Sequence, residues 1–74
     1  MKFQIKHKME GRIRVHMAQG AMTCREADLL CAWMEQSSSV RKVKAYPRTG
    51  DLAVWYQGER REVLKRLSAF RYGI

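Results

Sequence analysis

The sequence has no apolar run approaching the about 18 residues that a membrane helix requires, and it has no glycine-rich phosphate loop. It also has no long polar or repetitive tract, so we expect the whole chain to fold. The only two cysteines, Cys24 and Cys31, would lie roughly 10 Å apart along one predicted helix, too far for a disulfide. These absences favour a soluble chain with free thiols in a reducing, cytoplasmic compartment.

Catalytic arrangements are missing as well. No combination of serine, histidine and aspartate, and no pair of carboxylates, indicates a nucleophile or a general acid and base. With 74 residues the chain has room for one core, so residues 1–74 are predicted to form a single domain. A domain of this size favours two layers over a deep pocket. We therefore predict that the domain is not an enzyme by itself.

Acidic residues are few relative to basic ones. The chain has 15 Lys and Arg against 7 Asp and Glu, which gives a formal net charge of +8. A charge of this sign attracts phosphates, acidic lipid headgroups or an acidic protein surface. Charge alone does not choose among these partners.

Alternating residues predict the N-terminal strand. In residues 11–17, Ile13, Val15 and Met17 would face one side while arginines and a histidine face the other. Residues 3–7 also alternate, and the pair Glu10-Gly11 predicts a bend or bulge within one long strand.

A capping box predicts where the first helix begins. Thr23 and Glu26 have the Thr-x-x-Glu spacing, so a helix is expected from Cys24. Its apolar stripe ends before the serines at 37–39. Residues 40–46 and 51–56 then predict a hairpin around a turn at 47–50. A second helix opening at Gly58 and a strand beginning at residues 72–74 complete the chain.

This order, β-α-β-β-α with a short or missing last strand, predicts an α+β fold of the ferredoxin-like, split β-α-β class. Two helices would cover one face of an antiparallel sheet and leave the other face open. The open face would carry basic and aromatic residues: Arg12, Arg14, His16, Lys42, Lys44, Tyr46 and Trp55. Such a face can be ordinary solvated surface, or it can hold phosphates and stack on the bases of single-stranded RNA.

Two segments resemble the heavy-metal-associated domains of heavy-metal-translocating P-type ATPases and of small metal chaperones. Residues 7–15, HKMEGRIRV, are similar to the His-x-x-Pro-Gly-Arg-x-Arg opening of a divergent, ATPase-linked branch. Residues 40–43 with 47–52 are similar to the hairpin that follows the first helix in that family. The resemblance spans nearly the whole chain. It implies that the chain is a fragment of a longer protein and that this longer protein lies in the cell membrane.

The family holds soft metal ions with the motif Met-x-Cys-x-x-Cys. Here Met22-Thr23-Cys24 matches its first half, while Ala27 stands where the second cysteine would be. The resemblance therefore implies at most a weak site for Cu(I) or Zn(II) at Cys24. Its other donors would be neighbours in sequence: Met17, Met22 and His16.

Three functions follow as hypotheses. The first is a cytoplasmic regulatory or docking domain of a heavy-metal P-type ATPase, degenerate in metal binding, whose basic face contacts another domain, a metal chaperone or an acidic membrane surface. The second is a nucleic-acid-binding module that uses the same face. The third is a soluble chaperone for soft metals. An open sheet edge at the missing last strand also predicts a dimer.

Overall fold

Six elements form between residues 2 and 70, the range that the computed structural model describes. Their order and bounds are β1 (Phe3–Met9), β2 (Arg12–Met17), α1 (Cys24–Glu35), β3 (Val40–Tyr46), β4 (Asp51–Tyr56) and α2 (Arg60–Ala69). The predicted α+β fold is confirmed, and the arrangement approximates a ferredoxin-like fold. Neither helix in this range is long and apolar enough to cross a membrane.

The prediction of one long N-terminal strand is wrong, because the chain reverses at Glu10 and Gly11. Strands β1 and β2 form an antiparallel hairpin in which Met9 pairs with Arg12. Gly11 has a φ of 78°, a conformation that other residues rarely adopt. A glycine between two alternating runs is compatible with a bulge or with a turn, and here it makes the turn.

The sheet has the order β1-β2-β4-β3, and every neighbouring pair is antiparallel. Strands β2 and β3 therefore run parallel with β4 between them, which is the split β-α-β unit. The edge beside β2 is filled by β1, from the N-terminal side. The strand predicted at residues 72–74 lies outside the described residues, and dimerisation through a sheet edge stays a prediction.

The hydrophobic core lies between the sheet and the two helices. The alternation predicted for β2 is confirmed, since Ile13, Val15 and Met17 are all buried. The core consists of Ile13, Val15, Met17, Met22, Ala27, Leu30, Met34, Leu52, Val54, Tyr56, Val63, Leu67 and Phe70. One face of the sheet is thereby covered, and the polar residues of β2 are left on the other.

Helix α1 begins at the residue predicted from the sequence, and α2 begins two residues later than predicted. The capping box is confirmed: Glu26 N–H donates to Thr23 Oγ1 at 3.1 Å, and Thr23 N–H donates to Glu26 Oε1 at 2.8 Å. Helix α2 begins at Arg60 with Glu59 as its N-cap, not at Gly58. Gly58 has a φ of 88°, which lies outside the helical region.

The loop before α1 packs directly on the hairpin turn between β3 and β4. Met17 N–H donates to Gly50 O at 2.8 Å, and Met22 N–H donates to Pro47 O at the same distance. Gly50 has a φ of 81°, and a Cβ there would collide with the backbone of Gly20. This close contact fixes the start of β4, where Asp51 lies, against the end of β2.

Candidate anion-binding sheet face

The face of the sheet that points away from the helices carries the charged and aromatic residues of the candidate site. Paired residues of neighbouring strands share a face, so the register defines its rows. One row runs Met9, Arg12, Trp55, Lys42; the next runs His7, Arg14, Ala53, Lys44; the third runs Gln4, His16, Asp51, Tyr46. The seven residues predicted to lie on the open face all fall in these rows.

Trp55 lies between two cations in the first row. The guanidinium carbon of Arg12 is 5.0 Å from the centroid of its indole ring, and Lys42 Nζ is 5.1 Å from it. Because Arg12 and Lys42 come from the strands on either side of β4, they flank the ring from both sides. Both distances are within the range of cation–π attraction.

Tyr46 has a similar environment further along the sheet. The guanidinium carbon of Arg14 is 5.1 Å from its ring centroid, and Lys44 Nζ is 5.4 Å from it. Arg14 belongs to β2 and Tyr46 to β3, so the arginine reaches across β4. It can do so because Ala53, the β4 residue that pairs with Arg14, has a small side chain.

Asp51 is a carboxylate embedded in this basic face, and its side chain is only 5% exposed. Its Oδ1 lies 2.8 Å from His16 Nδ1, and its Oδ2 accepts a hydrogen bond from Arg14 Nη2 at 3.2 Å. Lys6 Nζ lies 3.7 Å from Oδ2. The hydrogen bond with His16, together with the charges of Lys6 and Arg14, outweighs burial and lowers the pKa of Asp51 below its ordinary value.

Sequence reasoning missed both Asp51 and Lys6. Asp51 continues the outward alternation of Ala53 and Trp55 along β4, so this pattern contained the signal. Lys6 lies where the register of β1 shifts between Ile5 and His7. A bulge of this kind changes which side a residue faces, and simple alternation does not reveal it.

Charge on the face is strongly unbalanced. Among residues 2–70, its cationic side chains Lys6, Arg12, Arg14, Lys42 and Lys44 share one carboxylate, that of Asp51. The other acidic residues lie in turns or on the helix layer: Glu10, Glu26, Asp28, Glu35, Glu59 and Glu62. The buried Nε atoms of Arg12 and Arg14 have no hydrogen-bond partner. The face is therefore suited to bind an anionic group.

The residues proposed as metal ligands do not converge on one surface. Cys24 is exposed at the first residue of α1, whereas Met17 and Met22 are buried in the core. His16 lies on the opposite side of the sheet from Met17 and is bonded to Asp51. Within the described range no group of three or more His, Cys, Asp or Glu could hold a metal ion. This placement does not fit a shared site, and metal binding by Cys24 stays a prediction.

Cys31 behaves as a partly buried core residue. Its side chain packs against the core cluster, and burial raises the pKa of its thiol, with Glu35 and Asp28 adding to the effect. A raised pKa disfavours the thiolate, which is the form that binds metals and attacks electrophiles.

Comparison with protein-family models gives no match for this chain, and comparison with curated proteins gives none either. The case for function therefore depends on the geometry of the sheet face. The resemblance to heavy-metal-associated domains remains a prediction from two sequence segments.

Proposed function

We propose that this chain is a non-catalytic docking domain that binds an acidic protein surface through its open sheet face. The observation that carries this proposal is the charge imbalance: Arg12, Lys42 and Lys44 have no acidic partner among the described residues. Complementary charge speeds encounter and selects partners, which suits a domain without a deep pocket.

An acidic protein surface suits this face better than single-stranded RNA. Proteins that bind such RNA stack its bases on exposed aromatic ring faces. Here cations lie over both aromatic rings, at 5.0 to 5.4 Å from the centroids. A base could stack only after these cations had moved, whereas a carboxylate can bind the cations where they are.

The resemblance to heavy-metal-associated domains supplies a setting for this proposal. In that setting the docking partner is an acidic surface on another domain of a metal-translocating P-type ATPase, or on a metal chaperone. What supports it is the pair of similar segments described above, one of which contributes Arg12 and Arg14 to the open face.

Binding to a labelled oligoglutamate peptide at low salt tests the proposal. The sheet-face variant Arg12→Glu/Lys42→Glu is compared with Arg61→Glu/Lys65→Glu, which makes the same change in net charge on exposed positions of α2. We expect salt-sensitive binding that the sheet-face variant loses and the helix variant keeps. Equal losses in both variants would show that net charge alone attracts the peptide and would contradict the proposal.

Two further probes separate the competing partners. Oligouridylate of the same charge tests the nucleic-acid hypothesis, and vesicles containing phosphatidylserine test membrane binding. Preferential binding of oligouridylate, lost in Trp55→Ala, would favour a nucleic-acid-binding module instead. Preferential binding of the vesicles would favour a membrane surface.

A further inference from the structure

We infer that Arg12 and Lys42, held at Trp55, form the anchor for one carboxylate of the acidic partner, and that Asp51 already fills the equivalent position beside Arg14. This inference rests on the proposed docking function and names the point on the face where the partner is held.

Strand β2 presents two arginine–aromatic units with similar distances between the guanidinium and the ring. Arg12 lies 5.0 Å from the ring centroid of Trp55, and Arg14 lies 5.1 Å from that of Tyr46. The two arginines are two positions apart on one strand, so both point to the open face. In each unit the arginine Nε is buried and makes no hydrogen bond. A second cation, Lys42 or Lys44, approaches each ring.

The units differ in the strand that carries the ring, β4 for Trp55 and β3 for Tyr46, and in the presence of a carboxylate. Arg14 pairs across the ladder with Ala53, and Asp51, two positions before Ala53, accepts its hydrogen bond at 3.2 Å. Arg12 pairs with Trp55, so the equivalent position for its carboxylate is Ala53. The side chain of Ala53 has no oxygen atom that could accept a hydrogen bond from Arg12. Asp51 thus supplies a carboxylate to Arg14, while no carboxylate of the described residues occupies the equivalent position beside Arg12.

The chemistry of the Arg12 unit suits a carboxylate. A guanidinium presents a planar fork of N–H donors that matches the two oxygens of a carboxylate. Contact with the indole ring restricts Arg12 before any ligand arrives, which reduces the entropy lost on binding. Lys42 adds a second charge from the other side of Trp55. An Asp or Glu side chain of the partner would supply at Arg12 what Asp51 supplies at Arg14.

The neighbouring arginine is less available to a partner, because Arg14 already donates a hydrogen bond to Asp51. Asp51 is covered by His16, Arg14 and Lys6, and its carboxylate is only 5% exposed. A charge-matched control for Arg12→Gln is Arg61→Gln, which also removes one positive charge but from an exposed position on α2.

Titration with the oligoglutamate peptide, followed by NMR, tests the anchor. The chain has two tryptophans, and the Nε1–H of Trp33 is bonded to Arg66 O at 2.9 Å on the helix side. We expect the Trp55 indole N–H resonance to shift on titration while that of Trp33 stays in place. Arg12→Gln should weaken binding about tenfold, and the charge-matched helix variant Arg61→Gln should stay within about twofold of the wild type.

Three outcomes would overturn the anchor. Binding that survives in Arg12→Gln, a loss in Arg61→Gln equal to that in Arg12→Gln, or an unmoved Trp55 resonance would each do so. These results are distinguishable from failure of the docking function, in which the wild type does not bind the peptide or the sheet-face and helix variants lose binding equally. A two-dimensional amide spectrum of each variant checks that the domain is folded.

Discussion

Trp33 and Arg66 each bond to the backbone of the other. Trp33 Nε1–H donates to Arg66 O at 2.9 Å, and Arg66 Nε–H donates to Trp33 O at 2.9 Å. The guanidinium carbon also lies 4.2 Å from the centroid of the indole ring. Trp33 lies in α1 and Arg66 in α2, so this reciprocal pair joins the two helices on the side of the domain away from the open sheet face.

Loss of this pair should destabilise the fold without affecting the open face. We expect Arg66→Ala to lower the free energy of unfolding by about 2 kcal/mol, since a charge-assisted hydrogen bond and a cation–π contact are removed. Urea denaturation measures the change. The control Arg61→Ala, an exposed arginine on the same helix, should stay within about 0.5 kcal/mol of the wild type. Equal changes in the two variants would contradict the role given to the pair.

Gly50 and Gly58 provide a matched test of crowding in the backbone. Both have a positive φ, 81° and 88°, but only at Gly50 would a Cβ collide with another segment, the backbone at Gly20. We expect Gly58→Ala to cost about 1 to 2 kcal/mol from the backbone conformation alone. Gly50→Ala should cost clearly more, as thermal or urea unfolding would show. A smaller loss for Gly50→Ala than for Gly58→Ala would contradict the close packing of the two turns.

The stability that Asp51 contributes should depend on pH. Its pKa is lowered in the folded protein by the hydrogen bond with His16 and the charges of Lys6 and Arg14. The ionised carboxylate therefore stabilises the fold above its ordinary pKa of 3.8, and this contribution is lost as pH falls from there through the lower, folded value. We expect Asp51→Asn to be less stable than the wild type at neutral pH.

The same comparison in acid completes the test. The difference in unfolding free energy between the wild type and Asp51→Asn should shrink toward zero below the folded pKa, where the protonated carboxyl resembles an amide. Chemical denaturation at a series of pH values measures it. A difference that stays constant into acid would show that the loss in Asp51→Asn comes from packing and not from the ion pairs.

Trp55 should matter for docking through the two cations that it holds. We expect Trp55→Leu to weaken oligoglutamate binding by about three- to fivefold, because Arg12 and Lys42 lose the ring that restricts them while keeping their charges. Fluorescence anisotropy measures the change. The variant Trp55→Phe, which keeps a ring, should retain most of the affinity. Affinity as high in Trp55→Leu as in the wild type would show that the ring does not organise the cations.

The sequence predicted the elements that depend on local patterns. It failed where one local pattern is compatible with two different structures. Alternation located β2 and β4 and their faces, and the capping box located the start of α1. Gly11 was compatible with a bulge or a turn, so the first hairpin was missed. Placing Lys6 beside Asp51 requires the shift in register between Ile5 and His7, which depends on pairing between strands. Contacts between residues of different strands also depend on this pairing. The sequence therefore placed Arg12, Trp55, Arg14 and Tyr46 on one face but did not predict that Arg12 contacts Trp55 or that Arg14 contacts Tyr46.

The reversal at Glu10 and Gly11 also bears on how the domain folds. Strands β1 and β2 are separated by a two-residue turn. Strands β2 and β4, which also pair, are separated by α1 and β3 along the chain. Closing a short loop costs less chain entropy than closing a long one, so we expect the first hairpin to form from local contacts early in folding. Arg12 and Arg14 would then be in place on a preformed ribbon before Trp55 and Tyr46 reach them.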